Sequence, residues 1–217
     1  SHTKERAEDV VYSAFGGDSK EVSYKTAQNI LLKFSSSAKH RHNGDLPMIM
    51  ESFVENGKIF YTSHFSLARK KSAEGILQND ETYFCVHSYD SNGKESPMIV
   101  GHGYFRKYNH SDDARKKTWY KDFDWLQEYP IYCVIEEANI LDAPVKLGIP
   151  LRELTEALGY KTYVHTIDHP EKYPKEKVAN SHGQQAMLSL TPEAKEYLDK
   201  RLTELGKQYG WKTYKSE

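Results

Sequence analysis

Residues 97–151 constrain the fold more than any other stretch, because they combine a glycine-interrupted strand with a run of aromatic residues. The strand reads Ile-Val-Gly-His-Gly-Tyr-Phe over residues 99–105, and glycines inside a strand permit tight packing or close backbone approach. Trp119, Trp125 and the segment 129–132 follow it in the chain. This order predicts a small β-barrel with an aromatic pocket at its rim, and a pocket of that kind holds a flat ligand.

Length, charge and cysteine content narrow the class of protein. The 217 residues are 38% hydrophobic and suffice for one well-filled core. Thirty basic and thirty-one acidic residues give a net charge of −1, so binding to nucleic acid would need a local basic face. The sequence has neither a long apolar run nor a cleavable leader, which predicts no membrane span and no signal peptide. Cys85 and Cys133 lie in apolar runs, so we expect buried thiols and a cytoplasmic protein.

Two Asn-Gly pairs, Asn56-Gly57 and Asn92-Gly93, predict β-hairpins, because Asn-Gly supplies the positive φ angles of a tight turn. The hairpin arms are predicted over residues 48–54, 58–65, 82–89 and 98–108. A fifth strand is predicted over residues 129–136, rich in aromatic and β-branched side chains. We therefore predict an α+β fold built on a small mixed β-barrel of about five to six strands with flanking helices.

The helical signals lie on either side of these strands. Weak helical patterns cover residues 4–15, 24–34 and 66–77, and residues 143–150 are predicted to be extended by their prolines. A helix is predicted over residues 151–158, ending at Gly159. The clearest helix begins after Thr191 as N-cap with Pro192 in its first position, and it ends between Gly206 and Gly210. Its apolar face is formed by Ala194, Leu198, Leu202 and Leu205.

These elements predict three regions in one compact chain. Residues 1–45 form an N-terminal helical and loop extension, and residues 46–165 form the barrel. Residues 166–217 form a C-terminal loop and a helix packed on the barrel. Trp211, which follows the last helix, is interpreted as a docking anchor.

Aromatic residues near the predicted strand ends are the candidates for ligand binding. Trp119 and Trp125 lie in a charged connection, where a tryptophan has fewer packing contacts and can cover a ligand. Tyr61, Ser63 and Phe65 alternate onto one face of their strand, a pattern that an ordinary barrel interior would also produce. A base stacked on an aromatic ring gains about 1–3 kcal/mol. Stacking does not choose a base, so a polar group such as Ser63 or Asp80 would supply selectivity.

Basic residues cluster locally despite the neutral total. Such runs are often only solvated faces, but on one rim they would contact phosphates around an aromatic pocket. The candidate phosphate-binding residues are Lys39, Arg41, Arg69, Lys70, Lys71, Arg106, Lys107, Arg115 and Lys117.

The ten histidines do not predict a metal site, because His40-x-His42 and His165-x3-His169 lack nearby cysteines or an HExxH context. We predict no metal and no cofactor. Two functions other than ligand recognition stay open. One is a small nuclease or hydrolase that uses His102 and His64, and the other is a protein-interaction module whose aromatic residues form only core.

The order of parts resembles the PUA-like superfamily, and within it the EVE and YTH branches. Residues 98–105 are similar to the central glycine-containing strand of that family, and residues 124–132 resemble the YTH stretch in which a cage tryptophan precedes an aromatic-Pro-Val strand. Residues 143–147, Ala-Pro-Val-Lys-Leu, are similar to the PVPL segment of EVE domains. Residues 58–65 depart from the YTH pattern, because they contain no tryptophan.

The resemblance implies a non-enzymatic reader that flips a modified, methylated base into an aromatic cage. Trp125 would then be one wall of the cage, and the Tyr61 to Phe65 segment the opposite wall. The implied partner is nucleic acid, with modified DNA favoured over RNA. Such modules serve as targeting domains of modification-dependent restriction enzymes, which implies a nuclease or NTPase domain elsewhere in a longer protein.

Overall fold

The computed structural model describes residues 29–33, 59–63, 74–75, 81–89, 92, 95–108, 131–180 and 187–216. The predicted arm 48–54 and the predicted helix 4–15 lie outside these ranges. Of the predicted helical stretch 66–77, only Glu74, which is helical, and Gly75, in a turn, are described.

The described strands form one mixed sheet of eight strands. They are β1 (Asn29–Lys33), β2 (Ile59–Ser63), β3 (Glu81–Tyr89), β4 (Glu95–Phe105), β5 (Ile131–Leu141), β6 (Ile149–Pro150), β7 (Met187–Leu190) and β8 (Trp211–Lys215). Six of them follow the order β2-β5-β4-β3-β1-β7, while β6 pairs with β4 and β8 pairs with β5. Together with three helices, this sheet confirms the predicted α+β class. Strands from all three predicted regions contribute to it.

The predicted helix over residues 24–34 is wrong where the structure describes it, because residues 29–33 form strand β1. This strand pairs in parallel with β3 and antiparallel with β7. Successive side chains Ile30, Leu31 and Leu32 are all buried, so both faces of the sheet are covered at this point. A short, continuously apolar run carries no periodicity that separates a buried strand from a buried helix.

The second predicted hairpin is confirmed as β3 and β4, which pair antiparallel with Tyr89 opposite Glu95. The connection therefore spans residues 90–94 and is longer than a two-residue turn. The predicted fifth strand is also confirmed as β5, although it continues to Leu141. Residues 143–150 are not fully extended, because Val145–Leu147 form a 3-10 turn before β6. The two prolines restrict only the residues that precede them, which leaves Val145 to Leu147 free to turn.

Within the described residues, three complete helices share one core with the sheet: α1 (Leu151–Leu158), α2 (Lys175–Asn180) and α3 (Pro192–Tyr209). The predicted bounds of α1 are confirmed, and a 3-10 turn, Gly159–Lys161, follows it. Helix α3 is also confirmed, with Thr191 as its N-cap: the Thr191 hydroxyl accepts a hydrogen bond from the Ala194 amide at 3.1 Å. Its predicted apolar residues are all buried and join the core formed with the sheet: Ala194, Leu198, Leu202 and Leu205.

A polar contact fixes α3 against α1. Arg201 Nε donates to Glu153 Oε2 at 2.9 Å, and the Tyr197 hydroxyl donates to the same oxygen at 2.5 Å. Partial burial raises the pKa of the Glu153 carboxyl, but these contacts outweigh it and hold the pKa below its usual range. Glu153 therefore stays ionised and links α1 to α3.

Candidate functional site

The connections that carry most of the predicted binding residues leave one end of the sheet. Strand β2 ends at Ser63 opposite Ile131, where β5 begins. Strand β4 ends at Phe105, and β3 begins at Glu81, opposite Tyr104. We call this end, where β2 and β4 end and β3 and β5 begin, the loop end of the sheet. The connection 64–80 and the connection 106–130 both start and finish there.

The predicted cage residues divide between β2 and these two connections. Tyr61 and Ser63 belong to β2, where their backbones pair with Cys133 and Ile131 of β5. Asp80 directly precedes Glu81 in the chain, and Phe65 follows Ser63 by two positions. Asp80, Phe65, Trp119 and Trp125 themselves lie outside the described residues. Chain connectivity therefore attaches every predicted cage residue to the loop end.

Two of the predicted phosphate-binding residues are described. Arg106 and Lys107 follow β4 directly; Arg106 is half-buried and its amide donates to the Val134 carbonyl at 3.0 Å, while Lys107 is exposed. Five more belong to the two loop-end connections and lie outside the described residues: Arg69, Lys70, Lys71, Arg115 and Lys117.

Lys39 and Arg41, the remaining two, also lie outside the described residues. They belong to the connection 34–58, which starts where β1 ends and finishes where β2 begins. Because β1 runs parallel to β3 and β2 runs antiparallel to β5, both of these strand ends lie at the opposite end of the sheet. The topology does not attach Lys39 and Arg41 to the loop end.

A cluster of polar side chains lies near the loop end on the face that carries α3. It consists of Glu81, Tyr83, His102, Lys195 and Asp199, and we call it the His102 cluster. Its members come from β3, β4 and α3. Helix α3 reaches this position because β7, which precedes it, runs antiparallel to β1 and ends at the loop end.

His102 and Glu81 form the exposed half of this cluster. Their contact joins His102 Nδ1 and Glu81 Oε2 at 3.1 Å, and each side chain is about one-third exposed, at 34% and 33%. A carboxylate only accepts hydrogen bonds, so the neutral imidazole carries its proton on Nδ1. Among the described residues, none forms a hydrogen bond with Nε2 of His102. Lys195 Nζ lies 3.8 Å from the other oxygen of Glu81.

Tyr83, Asp199 and Lys195 form the inner half of the cluster. The Tyr83 hydroxyl donates to Asp199 Oδ1 at 2.5 Å, and Lys195 Nζ donates to Asp199 Oδ2 at 2.8 Å. Burial, and next the hydrogen bond to Asp199, raise the pKa of Tyr83 far above its usual value. Tyr83 therefore remains a protonated donor and serves as a fixed support for the ring of His102, whose centroid lies 6.4 Å from its own.

The strand that carries His102 packs unusually close to β5. A Cβ atom on Gly101 would lie 2.2 Å from the Asn139 carbonyl oxygen, and one on Gly103 would lie 1.9 Å from that of Glu137. This confirms the prediction that these glycines permit close backbone approach. His102 lies between the two glycines in the sequence, so its backbone belongs to the segment of β4 that approaches β5 closely.

The sequence predicts Trp211 as a docking anchor but does not predict which residues it contacts. It begins β8, and its ring meets that of His102 edge-on with centroids 5.4 Å apart. The same ring lies against Gly206 of α3, where a Cβ atom would come within 2.3 Å of the indole nitrogen. Trp211 thus closes the gap between β8, α3 and the His102 cluster.

Next to His102, the edge of the sheet continues with polar side chains. Asn139 pairs with His102 across β4 and β5, and its Oδ1 accepts from the Thr213 hydroxyl at 2.7 Å. Asn139 Nδ2 donates to Glu137 Oε2 at 3.1 Å, and Lys215 Nζ lies 3.7 Å from Glu137 Oε1. The partly exposed face between α3 and the β8 edge therefore offers donors and acceptors in alternation.

Within the described ranges, no three His, Cys, Asp or Glu side chains come together as a metal site would require. His165 stacks on Tyr163 at 5.3 Å, and partial burial lowers its pKa. Cys85 and Cys133 are buried, as predicted, and form no disulfide. No helix among the described residues has the length and apolar character needed to cross a membrane.

The sequence was compared with protein-family models and with curated proteins. None of the family models matches it. No curated protein matches it at a significant level.

Proposed function

We propose that this chain is a PUA-like barrel domain of the EVE and YTH type that binds nucleic acid and flips a modified base into an aromatic cage. The observation that carries the proposal is the strand order at the loop end. The connections 64–80 and 106–130, which hold the predicted cage aromatics and most of the predicted basic residues, start and finish at this one end. Loops gathered at one end of a rigid sheet are the usual place for a binding site.

The pairing of β2 with β5 supports the two opposite walls of the cage. Ser63, the last residue of β2, pairs with Ile131, the first residue of β5. The segment that leads to Phe65 and the segment that comes from Trp125 therefore join neighbouring strands at the same level of the sheet. Phe65 is two residues from its strand and Trp125 is six residues from its own. At most about 3.5 Å per residue separates them from these anchors, which leaves both within reach of one base.

The basic residues support contact with phosphates. Arg106 and Lys107 follow the end of β4, and five further predicted phosphate-binding residues belong to the same two connections. The two connections hold nine basic and seven acidic residues, so they carry a small positive charge on a chain whose total charge is −1. The buried cysteines, which form no disulfide, favour a reducing, cytoplasmic location for the domain. A nuclease or NTPase domain in the longer protein would act on the nucleic acid that this domain reads.

The first test is binding of short DNA and RNA oligonucleotides to the parent and to Trp125→Ala, measured by fluorescence anisotropy. The oligonucleotides carry N6-methyladenine, 5-methylcytosine or no modification. Loss of one stacking ring is expected to weaken binding of the preferred modified oligonucleotide about 5- to 150-fold. Trp125→Phe retains a ring and should lose much less affinity.

Two results would contradict the proposal that the domain reads a modified base: a parent that binds no oligonucleotide, and a parent that binds modified and unmodified oligonucleotides equally. Failure of the parent to bind any oligonucleotide at low salt leaves the protein-interaction module as the better account. A Trp125→Ala variant that unfolds identifies Trp125 as core, and Trp119→Ala then takes its place in the same assay. Equal affinity for modified and unmodified oligonucleotides would mean that the protein binds nucleic acid without recognising the modified base.

A nuclease or hydrolase is the second candidate, and the contact between His102 and Glu81 favours it. A carboxylate on Nδ1 orients an imidazole so that Nε2 can take a proton from an attacking water and return it to the leaving group. His64, the other predicted catalytic residue, lies outside the described residues. His102→Ala is expected to lower turnover by roughly 10²- to 10⁴-fold, with binding retained. The measurement is cleavage of labelled DNA and RNA at neutral pH, with His165→Ala as the control, and a parent without cleavage rules this candidate out.

A further inference from the structure

We propose that strand β8 is a self-association surface, on which β8 of a second copy of this chain pairs antiparallel about a two-fold axis at Thr213. The sheets of the two copies then join into one continuous sheet. The surface consists of Trp211–Lys215, all of which the structure describes, and it uses none of the residues on which the proposed function rests.

Strand β8 lies at an edge of the sheet. It pairs antiparallel with β5, from Trp211 opposite Leu141 to Lys215 opposite Glu137. Among the strands that the structure describes, none pairs with its other side. All residues of β8 are exposed except Tyr214, which is half-buried. A strand edge of this kind presents a row of backbone N–H and C=O groups on which another strand can form.

Two hydrogen bonds at the ends of β8 identify the residues that direct backbone groups outward. The Asp142 amide donates to the Gly210 carbonyl at 3.0 Å. The Ser216 amide donates to the Glu136 carbonyl at the same distance. Because this direction alternates along a strand, the even-numbered residues of β8 bond to β5. The odd-numbered residues direct their N–H and C=O groups away from β5: Trp211, Thr213 and Lys215.

These outward groups restrict how two copies of β8 can pair. In an antiparallel pair, two hydrogen-bonded residues must both direct their groups at the other strand, so odd-numbered residues pair with odd-numbered residues. Centring the pair on Thr213 gives three hydrogen-bonded pairs: Thr213 with its own copy, and Trp211 with Lys215 in both directions. A shift by two residues either way leaves only two such pairs, so the centred register makes the most hydrogen bonds.

The charges of β8 favour the same register. Lys212 is then opposite Tyr214 of the second copy, so it faces an aromatic residue rather than a like charge. Lys215 is likewise opposite Trp211 of the second copy. In the register that pairs Trp211 with Thr213, Lys212 would be opposite its own copy, and like charges directly opposite are destabilising. Lysines on an edge strand generally deter strand addition, and here they deter this alternative register.

Trp211 leaves the edge open, because its ring packs inward over the face of the sheet. The indole lies against Gly206 of α3 and meets the ring of His102 edge-on. His102 belongs to β4, on the inner side of β5 as seen from β8. The contacts of the ring therefore anchor β8 from within and leave its outward backbone groups uncovered by the indole.

Sedimentation equilibrium of the full chain tests the proposal. The parent should show a reversible, concentration-dependent mass that approaches twice the 25.1 kDa of one chain. Thr213→Pro removes an outward N–H group, and proline is tolerated in an edge strand whose N–H would face solvent. This variant should associate at least about tenfold more weakly, since the central pair loses both of its N–H donors.

Thr213→Val is the matched control for the proline variant. The Thr213 hydroxyl donates to Asn139 Oδ1 at 2.7 Å, and both variants lose this hydrogen bond. Valine keeps the backbone N–H group and suits a strand. Thr213→Val should therefore associate within about twofold of the parent.

Cysteine crosslinking tests the register. Thr213 would lie opposite its own copy with Cα atoms about 5.5 Å apart, a distance that a disulfide bridges. Under mild oxidation, Thr213→Cys should form a covalent dimer much faster than Thr203→Cys, which places the thiol at an exposed position on α3. Cys85 and Cys133 are buried and should not contribute.

Three results would overturn the proposal. They are a parent that stays monomeric at up to about 1 mM, a dimer that Thr213→Pro leaves unchanged, and equal crosslinking of Thr213→Cys and Thr203→Cys. Thermal unfolding shows whether Thr213→Pro keeps the fold of the parent. If it does not, the crosslinking comparison decides, because a cysteine at either exposed position preserves the backbone hydrogen bonds.

Discussion

Replacing Gly103 with alanine should destabilise the protein by at least about 4 kcal/mol, a large part of the roughly 5–15 kcal/mol that keeps a typical domain folded. The added Cβ atom would lie 1.9 Å from the carbonyl oxygen of Glu137 and 2.9 Å from its carbonyl carbon. Both atoms belong to the backbone of β5, so no change of side-chain rotamer relieves the overlap. Strands β4 and β5 would have to separate at the centre of the sheet. Urea unfolding followed by far-UV circular dichroism measures the loss.

Gly206→Ala is the control for this expectation, because its added Cβ atom would overlap a side chain rather than the backbone. Its Cβ atom would meet only the side chain of Trp211, at 2.3 Å from the indole nitrogen. The indole is partly exposed and can move, and alanine within a helix gains about 1 kcal/mol over glycine. We expect a net change below about 1 kcal/mol. Similar losses for the two variants would mean that the β4 and β5 backbones adjust more easily than their geometry indicates.

The sequence predicts the elements whose signal is local. Helix α3 has an N-cap at Thr191, a proline at its first position and an apolar face with helical spacing, and all three features are found in the structure. Helix α1 and the β3–β4 hairpin were predictable for the same reason, since periodicity and turn residues lie within a few positions of the elements that they define. The close approach at Gly101 and Gly103 also has a local cause.

Elements whose signal is not local were missed. Strand β1 lies between β3 and β7, and its side chains are buried on both faces of the sheet, so its apolar run has no periodicity. Strands β7 and β8 are short, and they are strands because they complete the edges of a sheet formed by distant residues. Their backbone partners lie up to about 160 positions away, and no pattern within either segment specifies them.

The candidate site likewise contains residues that local sequence patterns predict and residues that they do not. Sequence patterns single out the aromatic and basic residues of the two loop-end connections, and the strand order explains why they belong together. The His102 cluster could not be predicted, because the hydrogen bond from Tyr83 to Asp199 spans 116 positions and the contact between His102 and Glu81 joins two strands. The sequence predicts His102 only as a catalytic candidate, and it predicts no role for Glu81. A predicted register for β3 and β4 would place His102 next to Tyr83 and Tyr104 next to Glu81, which is the signal that could have found the pair.

Leu198→Ala is expected to lower the free energy of unfolding by about 2–5 kcal/mol, since it removes a fully buried side chain from the core that joins α3 to the sheet. Lys200→Ala, on the exposed side of the same helix, should change stability by less than about 0.5 kcal/mol. Urea unfolding of both variants measures the difference. A loss below about 1 kcal/mol in Leu198→Ala would mean that α3 contributes little to the core. Because α3 also carries Lys195 and Asp199, its attachment fixes Tyr83 and Glu81 in place.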